Sequence, residues 1–522
     1  MDILRREIVE RWPEALVDPG RPDGIVVSSE SLSAVCRYLA EERGCRLATL
    51  LAEQQPHDGP AGFDVTYVFV DEKDHRLLEV VVRGVAGRAR SIAGILHAAD
   101  WHEREIEDLF GIHFSGHPVL GDFVLHDATW PEDVAPMRHE YDLHSEVDLG
   151  GRRDTWRPRT LLRQAGAHAL PIGPVYSDVA EAVLYVLEST GEQVRRCIPR
   201  PFYKYRAVEK LVEGRSPESA ILLAERFAGS AAFAHALAFA QAVEAAASVS
   251  APERAEQIRV VFAELERIRS HLSSIAGICG STALAVAKAE AQLIEEDLLR
   301  LSGRVAGHRY LFGVCVPGGV AVDLTARDVE LLRSTLPSLV GKAEALERGL
   351  RFSSSFLDRL EEVGILDHRA ASEYGCLGPV ARASGEVADT RTVLPYAAYG
   401  RLDVQVASED DGDGFARLRV LFAEVRSSLS LIMDAMDSLP PGPVYAPVTS
   451  SAGAAVTAVE APGGMTCHWV RLGDDGRVLR HHIAPPSLRN LHAFPGAAEG
   501  YAYQDFPIIL STFSLSIAEA DR

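Results

Sequence analysis

Between residues 216 and 363 the chain runs through four long segments of helical hydrophobic period, at 216–247, 251–279, 283–305 and 326–363. Apolar residues that recur every three to four positions over so many turns cannot line one face of a strand, so this stretch must pack as a helix bundle. Ser216-Pro-Glu-Ser opens it with a capping residue ahead of a proline at the first helical position, where the missing N–H is harmless. Residues 227–243 carry no formal charge, but the run is Ala-rich and interrupted by Gly229, His235 and Gln241. A bilayer span needs about 20 strongly apolar residues, so this segment reads as a buried helix of the bundle. Shorter extended pieces bracket the helices at 173–198 and 455–483.

The N-terminal part has a different texture. Thr66-Tyr-Val-Phe-Val70 and Leu78-Glu-Val-Val-Val-Arg83 flank the polar turn Asp71-Glu-Lys-Asp-His75, a hairpin signal. Residues 91–108 read as a helix with acid–base pairs on its outer face. The predicted organisation is an α+β domain over 1–142, a polar linker over 143–169 and a mainly α domain with short β-sheets over 170–522. The linker carries Gly150-Gly151, Arg152-Arg153 and Pro158. The acidic run 408–414 lacks the bidentate Glu of a calcium loop and reads as a solvated turn.

Composition then removes whole classes of function. Lys and Arg number 53 against 74 Asp and Glu, a formal charge of −21, which disfavours nucleic acid as a partner. The seven cysteines (36, 45, 197, 279, 315, 376 and 467) are scattered, and no two are separated by only two residues. That spacing gives no disulfide framework and no zinc or iron–sulfur ligand set. No basic, apolar and small-residue leader opens the chain, so a cytoplasmic location is expected. No Gly-x-Gly-x-x-Gly follows a strand, so direct NAD binding has no support.

Trp101-His-Glu-Arg-Glu-Ile-Glu-Asp-Leu-Phe-Gly-Ile-His-Phe-Ser-Gly-His-Pro118 resembles the signature of the C subunit, the 30 kDa type, of NADH-quinone oxidoreductase (respiratory complex I). Pro136-Met-Arg-His-Glu-Tyr141 is similar to that family's proline-leucine-arginine-lysine segment. On residue chemistry alone, Glu103, Arg104, Glu105 and Asp108 form a salt-bridged outer face, and His113 and His117 are loop histidines. The resemblance implies a docking domain without a redox centre. Residues 171–522 resemble the D subunit of complex I and, more closely, large subunits of membrane-bound [NiFe] hydrogenases of the formate hydrogenlyase and hydrogenase-4 type. The passages that carry this include Leu170-Pro-Ile-Gly-Pro174, Val208-Glu-Lys-Leu-Val-Glu-Gly-Arg-Ser-Pro217, Ala263-Glu-Leu-Glu-Arg-Ile268, Gly307-His-Arg-Tyr310 and Val316-Pro-Gly-Gly-Val320. They stand in the family's order, and the C-then-D fusion is itself typical of formate hydrogenlyase large subunits.

In such hydrogenases two Cys-x-x-Cys pairs hold nickel and iron, a soft centre that requires thiolates. Here the first pair falls on Ala228 and Ala231 and the second on Ser516 and Glu519, so nickel is not expected. The family's Glu-Ala-Pro-Arg-Gly reads Glu460-Ala-Pro-Gly-Gly464, and its His-Arg/Lys-Gly reads Tyr205-Arg-Ala207. Its histidine after Gly-Pro-Val is Tyr176, its next histidine falls near Leu184, and Glu209, Lys210 and His235 persist. The pocket candidates are therefore Tyr176, Tyr205, Glu209, His235 and Glu519. A packed histidine on an Ala-rich helix, and packed tyrosines with bonded hydroxyls, remain the alternative readings. The resemblance further implies two partners, an iron–sulfur small subunit like the B subunit of complex I and a membrane subunit like its H subunit. A quinone site and a peripheral position on the inner face of the cell membrane go with it. The alternative is a non-catalytic structural or assembly scaffold.

Overall fold

The computed structural model describes residues 3–18, 21, 23–54, 62–126, 130–131, 134–144, 147, 160–176, 181–449 and 452–522. Most of the expected linker, at 145–146 and 148–159, lies outside the described residues.

Strands β1 (Leu16–Val17), β2 (Gly24–Val26), β3 (Arg46–Gln54), β4 (Phe63–Asp71) and β5 (Arg76–Val85) form one sheet in the order β1-β2-β5-β4-β3. The expected hairpin is β4–β5, antiparallel, with Asp71 opposite Arg76. Every residue of β4 is buried, although a two-faced strand needs only one apolar side. Val65, Tyr67 and Phe69 share a core with Leu32 and Val35 of α2 (Leu32–Arg37), which follows α1 (Ile3–Arg11). On the alternate positions, Val68 and Val70 join Leu377, Met465, Cys467 and Trp469. Each such side chain contributes about 1.5–3 kcal/mol on burial. The sheet is thus stabilised from both sides, by its own helices and by residues roughly 300–400 positions away in sequence.

The helix expected over 91–108 starts only at Asp100: α3 is Asp100–Phe110, led in by a tight turn at His97–Ala99. Ser91 Oγ and the Ile92 amide both donate to the Glu103 carboxylate, at 2.5 and 2.7 Å, so the preceding segment folds across the helix instead of extending it. The expected outer face is overturned by the same contacts. Glu103 and Glu105 are buried, Arg104 lies over the Phe123 ring, and Asp108 accepts the amides of Phe123, Val124 and Leu125. His113 is exposed as expected, but the His117 side chain is fully buried against Asp100.

Beyond the linker, β6 (Ala167–Ile172), β7 (Leu184–Thr190) and β8 (Gln193–Arg200) make a three-stranded sheet in the order β8-β7-β6. The segment expected as one helix over 216–247 is two, α4 (Pro217–Arg226) and α5 (Ala232–Ala246). Charged side chains hold the break open. Arg269 donates to the Gly229 and Ser230 carbonyls at 3.0 and 2.5 Å. Glu266 accepts the Phe233 and Ala234 amides at 2.7 and 2.9 Å, satisfying donors that a helix N-terminus leaves free. The bundle is completed by α6 (Glu253–Ser281), α7 (Ala285–Ala306), α8 (Ala326–Arg351) and α9 (Gly414–Asp437). The pattern over 326–363 stops as helix at Arg351, because Ser353 turns to extended backbone and caps a short separate turn. In the acidic run, Asp413 caps α9 by accepting the Ala416 amide at 2.7 Å.

Strands β9 (Gly453–Ala461), β10 (Gly464–Leu472) and β11 (Val478–Ala484) form an antiparallel meander, and α5 packs across β9 and β10. At the β9–β10 turn Gly464 has φ +126°, and a Cβ there would lie 2.6 Å from the Gly378 amide nitrogen, so no larger residue fits. Helices α10 (Pro486–Ala498), α11 (Phe506–Thr512) and α12 (Ile517–Asp521) close the fold. Of the uncharged run expected as one buried helix, residues 232–243 are helical and largely buried in the bundle while 227–231 form the break with Gly229 exposed, and no described helix is long and apolar enough to cross a membrane.

Candidate functional site

Helix α5, with two of the assigned thiolate positions at its start, meets α12, with the other two, through His235 and Glu519. Ala228 lies in the break before α5, Ala231 caps α5, Ser516 caps α12 and Glu519 stands in its first turn. Ala228 is packed with Val208, Phe227 and Ile483. None of the four side chains can supply a thiolate, and all seven cysteines of the chain are buried and unpaired. This donor set does not fit a nickel–iron centre.

What stands there instead is a hydrogen-bonded chain of imidazoles. Glu519 Oε1 faces His235 Nε2 at 3.0 Å, His235 Nδ1 faces His468 Nε2 at 3.0 Å, and His468 Nδ1 faces His481 Nε2 at 3.0 Å. With Glu519 ionised, each ring donates through Nε2 and accepts through Nδ1, so a single tautomer satisfies every link. The last acceptor, His481 Nδ1, is buried without a partner among the described residues. Burial, reinforced by the neighbouring imidazoles, holds His468 well below the usual histidine range. For His481 burial outweighs the attraction of Glu209 and brings it down to about 3. Both rings are therefore neutral at pH 7. The other oxygen of Glu519 accepts from the Ser487 hydroxyl and, at 3.3 Å, from its amide.

The remaining candidates form a second group. Glu209 accepts the Ile483 amide at 2.6 Å and lies 3.2 Å from His482 Nδ1 and 3.8 Å from Arg522. Burial opposes its ionisation, but Arg522 and His482 outweigh that and hold Glu209 at about 2. Arg522 also pairs with Glu105 of α3 at 2.5 Å. Glu105, Glu209 and His482 present ligand-type atoms within 4.8 Å of one another, but the guanidinium already occupies the carboxylates. The Tyr205 hydroxyl is buried without a partner among the described residues, and burial pushes its pKa up. Tyr205 also lines a cavity of about 530 Å³ together with Trp130, Tyr141, Arg200 and Lys210.

Tyr176 is not drawn into either group. Its hydroxyl donates to the Ile172 and Val183 carbonyls at 3.2 and 2.8 Å, closing its own loop. Leu184 is buried at the start of β7.

Sequence reading missed His468, His481, Ser487, Glu105 and Arg522. The two histidines lie in a segment recognised only as extended. The signal was available in the register: Val470 pairs with His481, so period-two alternation places His468 and His481 diagonally on one face.

Comparison with known proteins agrees with this architecture. Residues 25–147 match the family model of the respiratory-chain NADH dehydrogenase 30 Kd subunit. Residues 293–451 and 446–522 match that of the 49 Kd subunit, and residues 206–274 match nickel-dependent hydrogenase. The chain is 28% identical to formate hydrogenlyase subunit 5 of Escherichia coli over 510 residues, covering 95% of this chain and 88% of that protein. It is likewise 28% identical to the C/D subunit of NADH-quinone oxidoreductase from Acinetobacter baylyi over 474 residues, covering 81% and 78%. Among solved structures, a chain of the membrane-bound sulfane sulfur reductase, an archaeal respiratory membrane complex, aligns with a TM-score of 0.65 at 26% identity, covering 68% of this chain and 99% of that one. The chain is a fusion of complex I 30 kDa-like and 49 kDa-like domains, of the C/D type, with hydrogenase-type large subunits among its relatives.

Proposed function

We propose that this chain is the large subunit of a membrane-associated, complex I-like or formate hydrogenlyase-like oxidoreductase that carries no nickel–iron centre and delivers protons to its pocket. The observation that carries the reading is Glu519: a carboxylate stands at an assigned thiolate position and is joined through His235 and His468 to the unpartnered nitrogen of His481. A proton taken up at His481 Nδ1 is passed by three hops along the rings and ends on the Glu519 carboxylate. From there it is available to a reducible ligand that reaches Glu519. A quinone is the ligand class this suits, since its reduction needs protons delivered to oxygen. Electrons come from the iron–sulfur cluster of a small partner of the B type, and a membrane partner of the H type keeps the chain on the inner face of the membrane. The division into 1–142, 143–169 and 170–522 belongs to this reading, with the first part docking and the last shaping the pocket. The relatives' roles in formate hydrogenlyase and NADH-quinone oxidoreductase support it.

The test is quinone-analogue reduction by the purified complex with Glu519→Gln and His235→Gln. Each variant is expected to lose about 10²–10⁴-fold in rate, the usual worth of a positioned acid or base. Stoichiometric nickel in the wild-type complex would overturn the reading. Unchanged rates in both variants would leave only a structural scaffold, which the packing of Ala228 against Phe227 and Ile483 favours.

A further inference from the structure

Away from that site, His97, Asp100 and His492 present one nitrogen or oxygen each, all within 4.8 Å of one another. His97 and Asp100 stand three residues apart on the tight turn that starts α3, a spacing that puts both on the same side. His492 comes from α10, so two segments remote in sequence meet here. His492 Nε2 lies 3.5 Å from Asp100 Oδ2, long for a hydrogen bond. That separation is close to the edge of a tetrahedron, roughly 3.3 Å, around an ion bound at about 2.0–2.1 Å.

The surroundings are those of a metal ligand set. The other Asp100 oxygen lies 3.2 Å from His117 Nε2. His117 Nδ1 accepts the Val119 amide at 3.1 Å, so the proton of that ring is on Nε2, close to Asp100 but outside hydrogen-bonding geometry. The His117 ring lies beside Oδ1, which leaves Oδ2 facing His492. Trp101 stacks on the His492 ring at 4.6 Å and fixes its plane, and the Tyr374 ring abuts both histidines at 4.5 and 5.0 Å. The other charged groups near this set are Glu103 and Arg104. His97 lines a cavity of about 700 Å³, which gives an ion a way in.

We propose that His97, Asp100 and His492 bind one zinc-type divalent ion that staples α3 to α10, and so joins the 30 kDa-like region to the 49 kDa-like region. Two imidazoles and one carboxylate select a borderline ion over magnesium or calcium.

The test uses the full chain titrated with Co²⁺ as a spectroscopic probe and with Zn²⁺ against a chelating dye. One equivalent of Co²⁺ is expected to give the intense visible bands of a tetrahedral site, and Zn²⁺ to raise the melting temperature. His97→Ala should abolish the bands with apo-protein melting unchanged. His368→Ala, at an exposed histidine elsewhere, should change nothing. Absence of tetrahedral bands in the wild type, or equal Zn²⁺ affinity in His97→Ala, would overturn the proposal. An equivalent of Fe²⁺ bound in preference to Zn²⁺ would overturn the choice of ion.

Discussion

Two buried polar networks lie in the same half of this molecule, and they differ in completeness. In the helix bundle Arg267, Arg382 and Arg391 interlock with Glu264, Asp389, Glu424 and Glu460. Arg382 donates to Glu424 at 2.6 Å and to Glu460 at 2.8 Å, and Arg391 to Asp389 at 2.7 Å and to Glu264 at 3.1 Å. Tyr399, Ser428 and Thr390 take further carboxylate oxygens. No side-chain atom of these residues is both buried and unpartnered. The imidazole chain also forms every internal link, yet it ends on a bare nitrogen at His481, with the bare hydroxyl of Tyr205 in the neighbouring group. A saturated network fixes a fold; one that leaves buried polar atoms open gives up part of that stabilisation.

The largest effect should come from breaking the saturated network. Arg382→Met leaves Glu424, Glu460 and Asp389 short of a buried cation, and such a loss costs about 3–5 kcal/mol. Chemical denaturation should show this as a lower midpoint, or as failure to accumulate folded chain. A loss under 1 kcal/mol would mean that this network does not fix the fold.

Acid should act on the other network. Native His481 titrates only near pH 3 and native His468 well below its ordinary value, whereas both take up protons near pH 6.5 once unfolded. As pH falls below about 6.5 the unfolded chain gains protons that the native chain refuses, so stability drops by up to about 1.4 kcal/mol per pH unit for each ring. Denaturation midpoints between pH 7 and 4.5 measure the slope, and His481→Asn should flatten it by roughly one proton's worth. An unchanged slope would mean that His481 is charged in the native state.

These contrasts explain what the sequence did and did not disclose. The β4–β5 hairpin and the helices α6 and α7 were legible because local hydrophobic period decides them. The break between α4 and α5 was not, because Arg269 and Glu266, more than 30 residues away, hold it open. Glu103 and Glu105 read as solvated because their partners, the folded-back Ile92 amide and the distant Arg522, leave no mark on helical periodicity. At the site, His235 and Glu519 were singled out by resemblance and do meet, at 3.0 Å. Tyr176 was singled out on the same ground, but a hydroxyl shared between two loop carbonyls is a structural clasp. His468 and His481 were missed because strand pairing, not spacing along the chain, makes them neighbours.

A smaller effect should follow at Glu519 itself. In Glu519→Gln the amide oxygen can still accept from His235, but the new NH₂ must face the Ser487 amide, which is also a donor. The hydroxyl of Ser487 can rotate to accept, so the expected loss is about 1 kcal/mol, the worth of one hydrogen bond. A loss as large as that of Arg382→Met would class Glu519 with the saturated network and remove it from proton transfer.

The smallest effect calibrates the rest. Arg369 and Glu373 form a surface pair at 2.7 Å, one turn apart and both largely exposed. Arg369→Ala should shift the denaturation midpoint only marginally, and less in high salt, because water screens both charges. The same guanidinium–carboxylate chemistry is thus expected to weigh far less in this pair than at Arg382. If Arg369→Ala instead cost several kcal/mol, the contrast between the two buried networks could not be read from saturation, since an exposed and fully solvated pair would then weigh as much as a desolvated one.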